Sequence, residues 1–271
     1  MDMANTIPFA DADRYVSYLK TPLGRLRSDL AWEQLRRFLP AVATRRRALD
    51  LGGGTGWMSL RLAELQFDVV LVDGSEEMLR AASAEAEARG MLGRISLRCA
   101  EVKEQLKEFE PEFFDVVVCH NLLEFVARPE EVIAGVADVM RNGGLSSFLV
   151  RNRGGEVVKA AVKSRDVELA RAALSAETVA DSLYGARVAL FDGNQIADML
   201  RAAGLQVIAE FGVRVLSDYR DEKELSTEEA YGRAFKLELI LGTRTEFARI
   251  ARYSQFIAGK SSTPERREEM Q

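Results

Sequence analysis

The sequence has one histidine, two cysteines and six prolines in 271 residues, and no apolar run approaches eighteen residues. Each scarcity excludes a class. His120 with Cys99 and Cys119 gives no ligand spacing for zinc, so no metal site is expected. No G-x-S-x-G elbow is present, which leaves a Ser-His-Asp hydrolase little room. Both thiols lie in apolar segments that read as strand ends, and both are expected to be buried in a reducing compartment rather than paired. The lack of a long apolar run argues against a membrane-spanning helix. The N-terminal segment lacks the basic and apolar regions of a secretory signal. A soluble, cytoplasmic chain is the expectation.

Positive charge is scarce overall and concentrated locally. The formal net charge is −5, so nothing globally basic advertises nucleic acid. From Arg14 to Arg47, however, nine basic residues stand against Asp29 and Glu33, a local +7. With 47% hydrophobic residues the chain can bury a core the size of one large domain.

From about residue 46 onward, short apolar runs alternate with helical stretches. Strands are expected at 48–51, 68–72, 94–99, 113–119 and 145–150, separated by helices. Ser75 with Glu76 and Glu77 reads as the start of one helix and Gly90 as its stop. Asn142-Gly143-Gly144 reads as the end of another. Two further strands are expected at 205–216 and 250–258, the helix between them opened by a capping box of Ser226 and Glu229. This is an α/β pattern, a mostly parallel sheet with helices on both faces. Residues 1–40 read as an N-terminal helical cap on a domain spanning 41–260. A mostly helical insertion is expected at 154–190, and a disordered tail at 261–271.

The chemistry-bearing motif is Leu49-Asp50-Leu51-Gly52-Gly53-Gly54-Thr55-Gly56, where the first strand ends. Glycines at 52, 54 and 56 allow a tight turn and a close ligand approach, and the following helix offers free N–H groups. Asp73 ends the second strand, at the distance usual for a carboxylate that accepts from ribose hydroxyls. A nicotinamide fingerprint starting at Gly52 would need glycine at 57, which is Trp57.

An acidic residue followed by G-x-G-x-G resembles the Rossmann-like S-adenosylmethionine-dependent methyltransferases. Arg98-Cys99-Ala100-Glu101, the run from Phe114 to Val126 and Arg141-Asn142-Gly143-Gly144 look like that family's third strand, fourth strand and turn before the fifth. A narrower resemblance is to the bacterial tRNA 5-carboxymethoxyuridine methyltransferases. It is carried by Gly24-Arg25-Leu26-Arg27, Trp32-Glu33-Gln34-Leu35, Leu123-Glu124-Phe125-Val126, Gly212-Val213-Arg214-Val215 and Arg252-Tyr253.

The resemblance implies a seven-stranded sheet, S-adenosyl-L-methionine as cofactor and tRNA as one acceptor. It implies cofactor contacts by Arg27, Gly52, Gly53, Asp73, Glu101 and His120, to which the glycine motif adds Asp50, Gly54 and Gly56. No catalytic base is assigned; His120 is the one candidate. Arg151, Arg153, Arg214 and Tyr219 are expected to bind an anionic acceptor. The tRNA enzymes carry a lysine-rich run in the insertion. Here residues 151–190 hold seven basic residues against five acidic, scattered at helical surface spacing. A metabolite held under the insertion is therefore the alternative acceptor, and a non-catalytic cofactor-binding protein a third reading. Oligomeric state is left open.

Overall fold

A computed structural model describes residues 12–39, 46–180 and 185–261. The expected tail from 262, Tyr184, Pro40 and Arg45 lie outside the described residues. Two helices come first, α1 (Ala12–Lys20) and α2 (Pro22–Arg36). Thr21 caps α2 through its hydroxyl, and Pro22 sits at the first helical position, where its missing N–H costs nothing. Leu26, Leu30 and Leu35, one face of α2, are fully buried against the sheet.

The α/β alternation then runs β1 (Arg46–Leu51), α3 (Trp57–Glu64), β2 (Phe67–Asp73), α4 (Glu76–Ala88), β3 (Ile95–Cys99), α5 (Val102–Glu108), β4 (Phe114–His120), α6 (Pro129–Val139) and β5 (Met140–Arg151). An insertion follows, with α7 (Arg153–Val158), a π-helical turn (Lys159–Lys163), α8 (Val167–Ala173) and the hairpin β6 (Thr178–Ala180) and β7 (Arg187–Ala189). The chain closes through α9 (Gly193–Ala202), β8 (Leu205–Val213), α10 (Glu228–Gly242), α11 (Thr245–Ala248) and β9 (Tyr253–Lys260).

The main sheet has seven strands in the order β3-β2-β1-β4-β5-β9-β8. The first five are parallel, and β9 runs antiparallel between β5 and β8. Phe114–Cys119 is fully buried apart from Asp115, the near-continuous apolar character of a parallel strand covered on both faces. Ser75 caps α4 as expected, and Gly90 takes φ +67° while Met91 N–H donates to Ala86 O at 2.7 Å. That pattern is a Schellman stop.

Several local expectations are corrected. The β5 pairing jumps from Met140 to Leu145, so Asn142-Gly143-Gly144 forms a bulge inside the strand rather than a stop before it. Thr227, not Ser226, caps α10, accepting from Ala230 N–H, and no capping box forms there. The last strand begins at Tyr253 rather than 250, because 245–248 is helical. The strand before it stops at Val213, where Arg214 adopts φ +62°. The insertion is helical only in its first half, because Thr178-Val179-Ala180 and Arg187-Val188-Ala189 pair as a hairpin. Cys99 is exposed on the sheet-edge strand β3, and only Cys119 is buried.

Arg153 holds the insertion to the body. Its guanidinium donates to Ala176 O at 3.0 Å and Leu190 O at 3.4 Å, to Asp192 at 3.1 Å and to Gln195 at 3.2 Å. Asp192 and Gln195 form the expected capping box of α9. Replacing Arg153 with alanine is expected to cost about 1–3 kcal/mol. It should also speed limited proteolysis between 174 and 190, and unchanged cleavage there would contradict this role.

Candidate active site

The carboxyl edge of the sheet collects the expected residues, because each parallel strand ends there. Gly52 and Gly53 donate to Val72 O at 2.8 and 3.2 Å, binding the glycine loop to the end of β2. Gly52, Gly54 and Gly56 have φ of +69°, +54° and +75°, a backbone that other residues rarely adopt. Asp50 lies under the loop, where its Oδ2 accepts from Ser59 N–H at 3.0 Å and Ser59 Oγ at 2.7 Å. Burial pushes its carboxyl up to about 6. A Cβ at residue 53 would come within 2.8 Å of Asp50 Cγ and of Leu71 Cγ, so only glycine fits between them. Asp50 thus shapes the loop from beneath.

Asp73 accepts from Gly54 N–H through Oδ2 and from Ser75 N–H through Oδ1, both at 2.9 Å. Burial raises its pKa against those two bonds. Glu101, just past β3, is exposed and caps α5 by accepting from Glu104 N–H at 2.9 Å. Above the loop, Tyr15 and Leu19 of α1 close a cavity of about 50 Å³ that Arg27, Gly52, His120 and Asn121 also line. Ligand sites enclose about 300–1,000 Å³. Asp73 and Glu101 stand outside the lining of this cavity, so a ligand reaching from Arg27 to them extends beyond it.

His120 ends β4 in this cavity. Its Nε2 lies 2.7 Å from Ser147 Oγ, which accepts from Gln255 Nε2 at 2.9 Å. The serine hydroxyl, with one donor and two acceptor positions, can pair with either tautomer of the imidazole. Burial, reinforced by Arg27, pushes the imidazole down to about 3. It is neutral at working pH, and an imidazole held so low is a weak base, which argues against a base role. Because His120 is the sole histidine, a proton NMR titration should show no ring shift between pH 5 and 8. The unfolded chain takes up this proton near 6.5. The site therefore makes folding less favourable as pH falls from about 6.5 toward 3.

Strands β5, β9 and β8 bring a second group of residues to the same edge. Tyr253 opens β9, paired with Arg151 on one side and Val213, next to Arg214, on the other. The guanidinium carbons of Arg27, Arg151 and Arg214 lie 5.8, 5.7 and 5.7 Å from the Tyr253 ring centroid. Arg214 is gripped by Asp218, with Nε to Oδ2 at 2.8 Å, and also donates to Tyr18 Oη at 2.8 Å. Burial works against ionised Asp218, but Arg214 overcomes it and holds the carboxyl below its usual range. Buried Glu156 lies against Arg252 and 3.4 Å from Arg151. Tyr219 donates to Gly155 O at 3.5 Å.

Arg151, Arg214 and Tyr219 are thus brought together, and Arg27 stands between this cluster and the glycine loop. Arg153 is turned away, because Asn152 caps α7 and rotates the next side chain toward the hairpin. Tyr253, Arg252, Glu156, Lys159 and Glu124 escaped sequence reasoning as site residues. Glu124 Oε1 accepts from Asn121 Nδ2 at 3.0 Å and from Arg151 N–H at 2.9 Å, tying the two halves of the edge together.

A family described as a methyltransferase domain matches residues 48–144, the stretch holding β1 to β4, the glycine loop and Asp73. The chain carries a methyltransferase domain. It is 27% identical over 248 residues to the tRNA 5-carboxymethoxyuridine methyltransferase of Escherichia coli (strain K12), covering 91% of this chain and 92% of that one. It is 33% identical to the ubiquinone biosynthesis O-methyltransferase of Idiomarina loihiensis over 108 residues, only 40% of this chain and 43% of that one. A putative S-adenosylmethionine-dependent methyltransferase from Listeria monocytogenes shares the fold. Its TM-score is 0.61 at 16% identity, over 88% of this chain and all of that one.

The site of this methyltransferase fits its donor chemically. A Cβ at Gly54 would project toward the Tyr15 ring at 3.8 Å, into the space above the loop. Arg27 lines that space, and Asp73 stands beside it on the Gly54 N–H. Among the described residues, no group of three or more His, Cys, Asp or Glu side chains could hold a metal ion, and no helix is long and apolar enough to cross a membrane.

Proposed function

We propose that this methyltransferase O-methylates a carboxylate, and that its acceptor is 5-carboxymethoxyuridine of tRNA in the cytoplasm. The observation that carries the reading is the placement of Arg151 and Arg214 around Tyr253, directly beyond Arg27 and the glycine loop. An anionic acceptor held there adjoins the donor cavity. The similarity to the Escherichia coli tRNA enzyme over nearly the full length of both chains favours tRNA.

Bound S-adenosylmethionine supplies a methyl group on a positively charged sulfur. In this reading Arg27 holds its carboxylate end, Gly52, Gly53, Gly54 and Gly56 form the cradle over Asp50, and Asp73 takes the ribose beside Glu101. Arg151 and Arg214 hold the acceptor, with Tyr219 in the same cluster. A carboxylate is already a nucleophile at neutral pH, so a neutral His120 is no handicap. The protein's contribution is alignment and exclusion of water, and proximity effects of this kind are large.

One observation favours a small-molecule acid instead. The insertion's basic residues are largely paired within it or with the body of the domain, as in Arg171–Glu168, Lys159–Glu156 and Arg153–Asp192. Paired cations release few counterions on binding RNA. The test is transfer of tritium from labelled S-adenosylmethionine into bacterial RNA, beside a small-molecule extract of the same cells. Label in tRNA that disappears when carboxymethoxyuridine is lacking supports the proposal. Label confined to the small-molecule fraction overturns the tRNA assignment.

A further inference from the structure

Tyr253 is a buried ionisable group among several charged ones that the methyl-transfer reading leaves without a task. It is 4% exposed. The groups around it come from several packed elements: Arg27 from α2, Tyr18 from α1, Arg151 from β5, Arg214 with Asp218 from the turn after β8, and Arg252 just before β9. Behind Arg151 and Arg252 stand Glu156 and Lys159 of the insertion. A tyrosine in a core of this kind normally meets apolar neighbours and keeps its proton. Here three guanidinium carbons stand 5.7–5.8 Å from the ring centroid, and two of them belong to the arginines read above as holding the acceptor.

We propose that Tyr253 is a specificity-determining residue of the acceptor site, whose guanidinium cage takes one negative charge beyond those of Asp218 and Glu156, either the Tyr253 phenolate or the acceptor carboxylate. The inference rests on the reading that this site takes a carboxylate. Burial works against ionising the phenol, but Arg151, Arg214, Arg27 and Arg252 outweigh it and bring it down to about 8. Tyr18, Tyr219 and Tyr231 move the other way, raised chiefly by burial. Near neutral pH the phenol is protonated and the cage is open to an anion. In more alkaline solution the phenolate occupies it, and an anionic acceptor is excluded while a neutral one is not. The device selects for anionic acceptors and also limits the pH range over which they bind.

The test is a pH titration of tyrosinate absorbance on the full chain, which needs no knowledge of the acceptor. One tyrosine is expected to ionise near pH 8, apart from the rest, and Tyr253→Phe should remove that step. Acetate serves as the carboxylate probe, compared with chloride at equal ionic strength. At ten times its dissociation constant, acetate should move the step up by about one pH unit, since it binds only the protonated form. If Tyr253→Phe fails to fold, Arg151→Gln provides the second variant, and the step should move toward the ordinary value of about 10. A step that survives Tyr253→Phe, stays in place in Arg151→Gln or ignores acetate overturns the proposal. Failure of the tRNA assignment alone would leave all three results standing.

Discussion

Arg27→Ala should weaken S-adenosylmethionine binding by roughly 30- to 4,000-fold, the range expected when one partner of a buried, hydrogen-bonded charge pair is removed. Arg27 is 7% exposed, fixed by a 3.0 Å bond to Tyr15 Oη, and packed near the rings of Tyr15, Tyr18 and Tyr253. It is therefore already oriented before the cofactor arrives, and little ordering cost offsets the contact. Arg27→Lys should fall between the two, since lysine keeps the charge but loses the planar fork. Calorimetric titration of cofactor into both variants checks this, with thermal melting as the control for folding. Near-normal affinity in Arg27→Ala would remove this residue from the donor site.

Arg151→Met should leave cofactor affinity within about twofold while lowering kcat/KM for a carboxymethoxyuridine tRNA by about 30- to 4,000-fold. The asymmetry follows from position. The Arg151 guanidinium reaches the Tyr253 cage and Glu156, while its bond to Glu124 uses only the backbone N–H and survives the substitution. Glu156 keeps Arg252 and Lys159 as partners, so no buried carboxylate is stranded. Parallel titrations of donor and acceptor separate the two effects. Equal loss of both would mean that the edge is a single site rather than two adjoining ones.

The donor half of the site was legible in the sequence because its chemistry constrains the backbone. Only glycine sits easily at the φ of residues 52, 54 and 56, and the strand, turn and helix around them are contiguous. Asp73 followed from the length of one βα unit. The acceptor half was not legible in the same way. Arg27 and Tyr253 meet across more than two hundred residues through α2 packing on the last strand, and arginines in a sequence read as surface charges.

Arg151 and Arg153 also look equivalent in sequence, two apart at a strand end. The helix that Asn152 caps separates them, sending one to the cluster around Tyr253 and the other to the hairpin. The hairpin itself escaped because three-residue strands carry no usable period. Cys99 reads as core until β3 proves to be the edge strand of the sheet.

The central claim is that the methyl group goes to a carboxylate, and the most direct test is the chemical lability of the transferred label. After reaction with tritium-labelled S-adenosylmethionine, the account predicts a methyl ester that mild alkali releases as volatile methanol. Label that withstands alkali, as an ether or N-methyl group would, contradicts it.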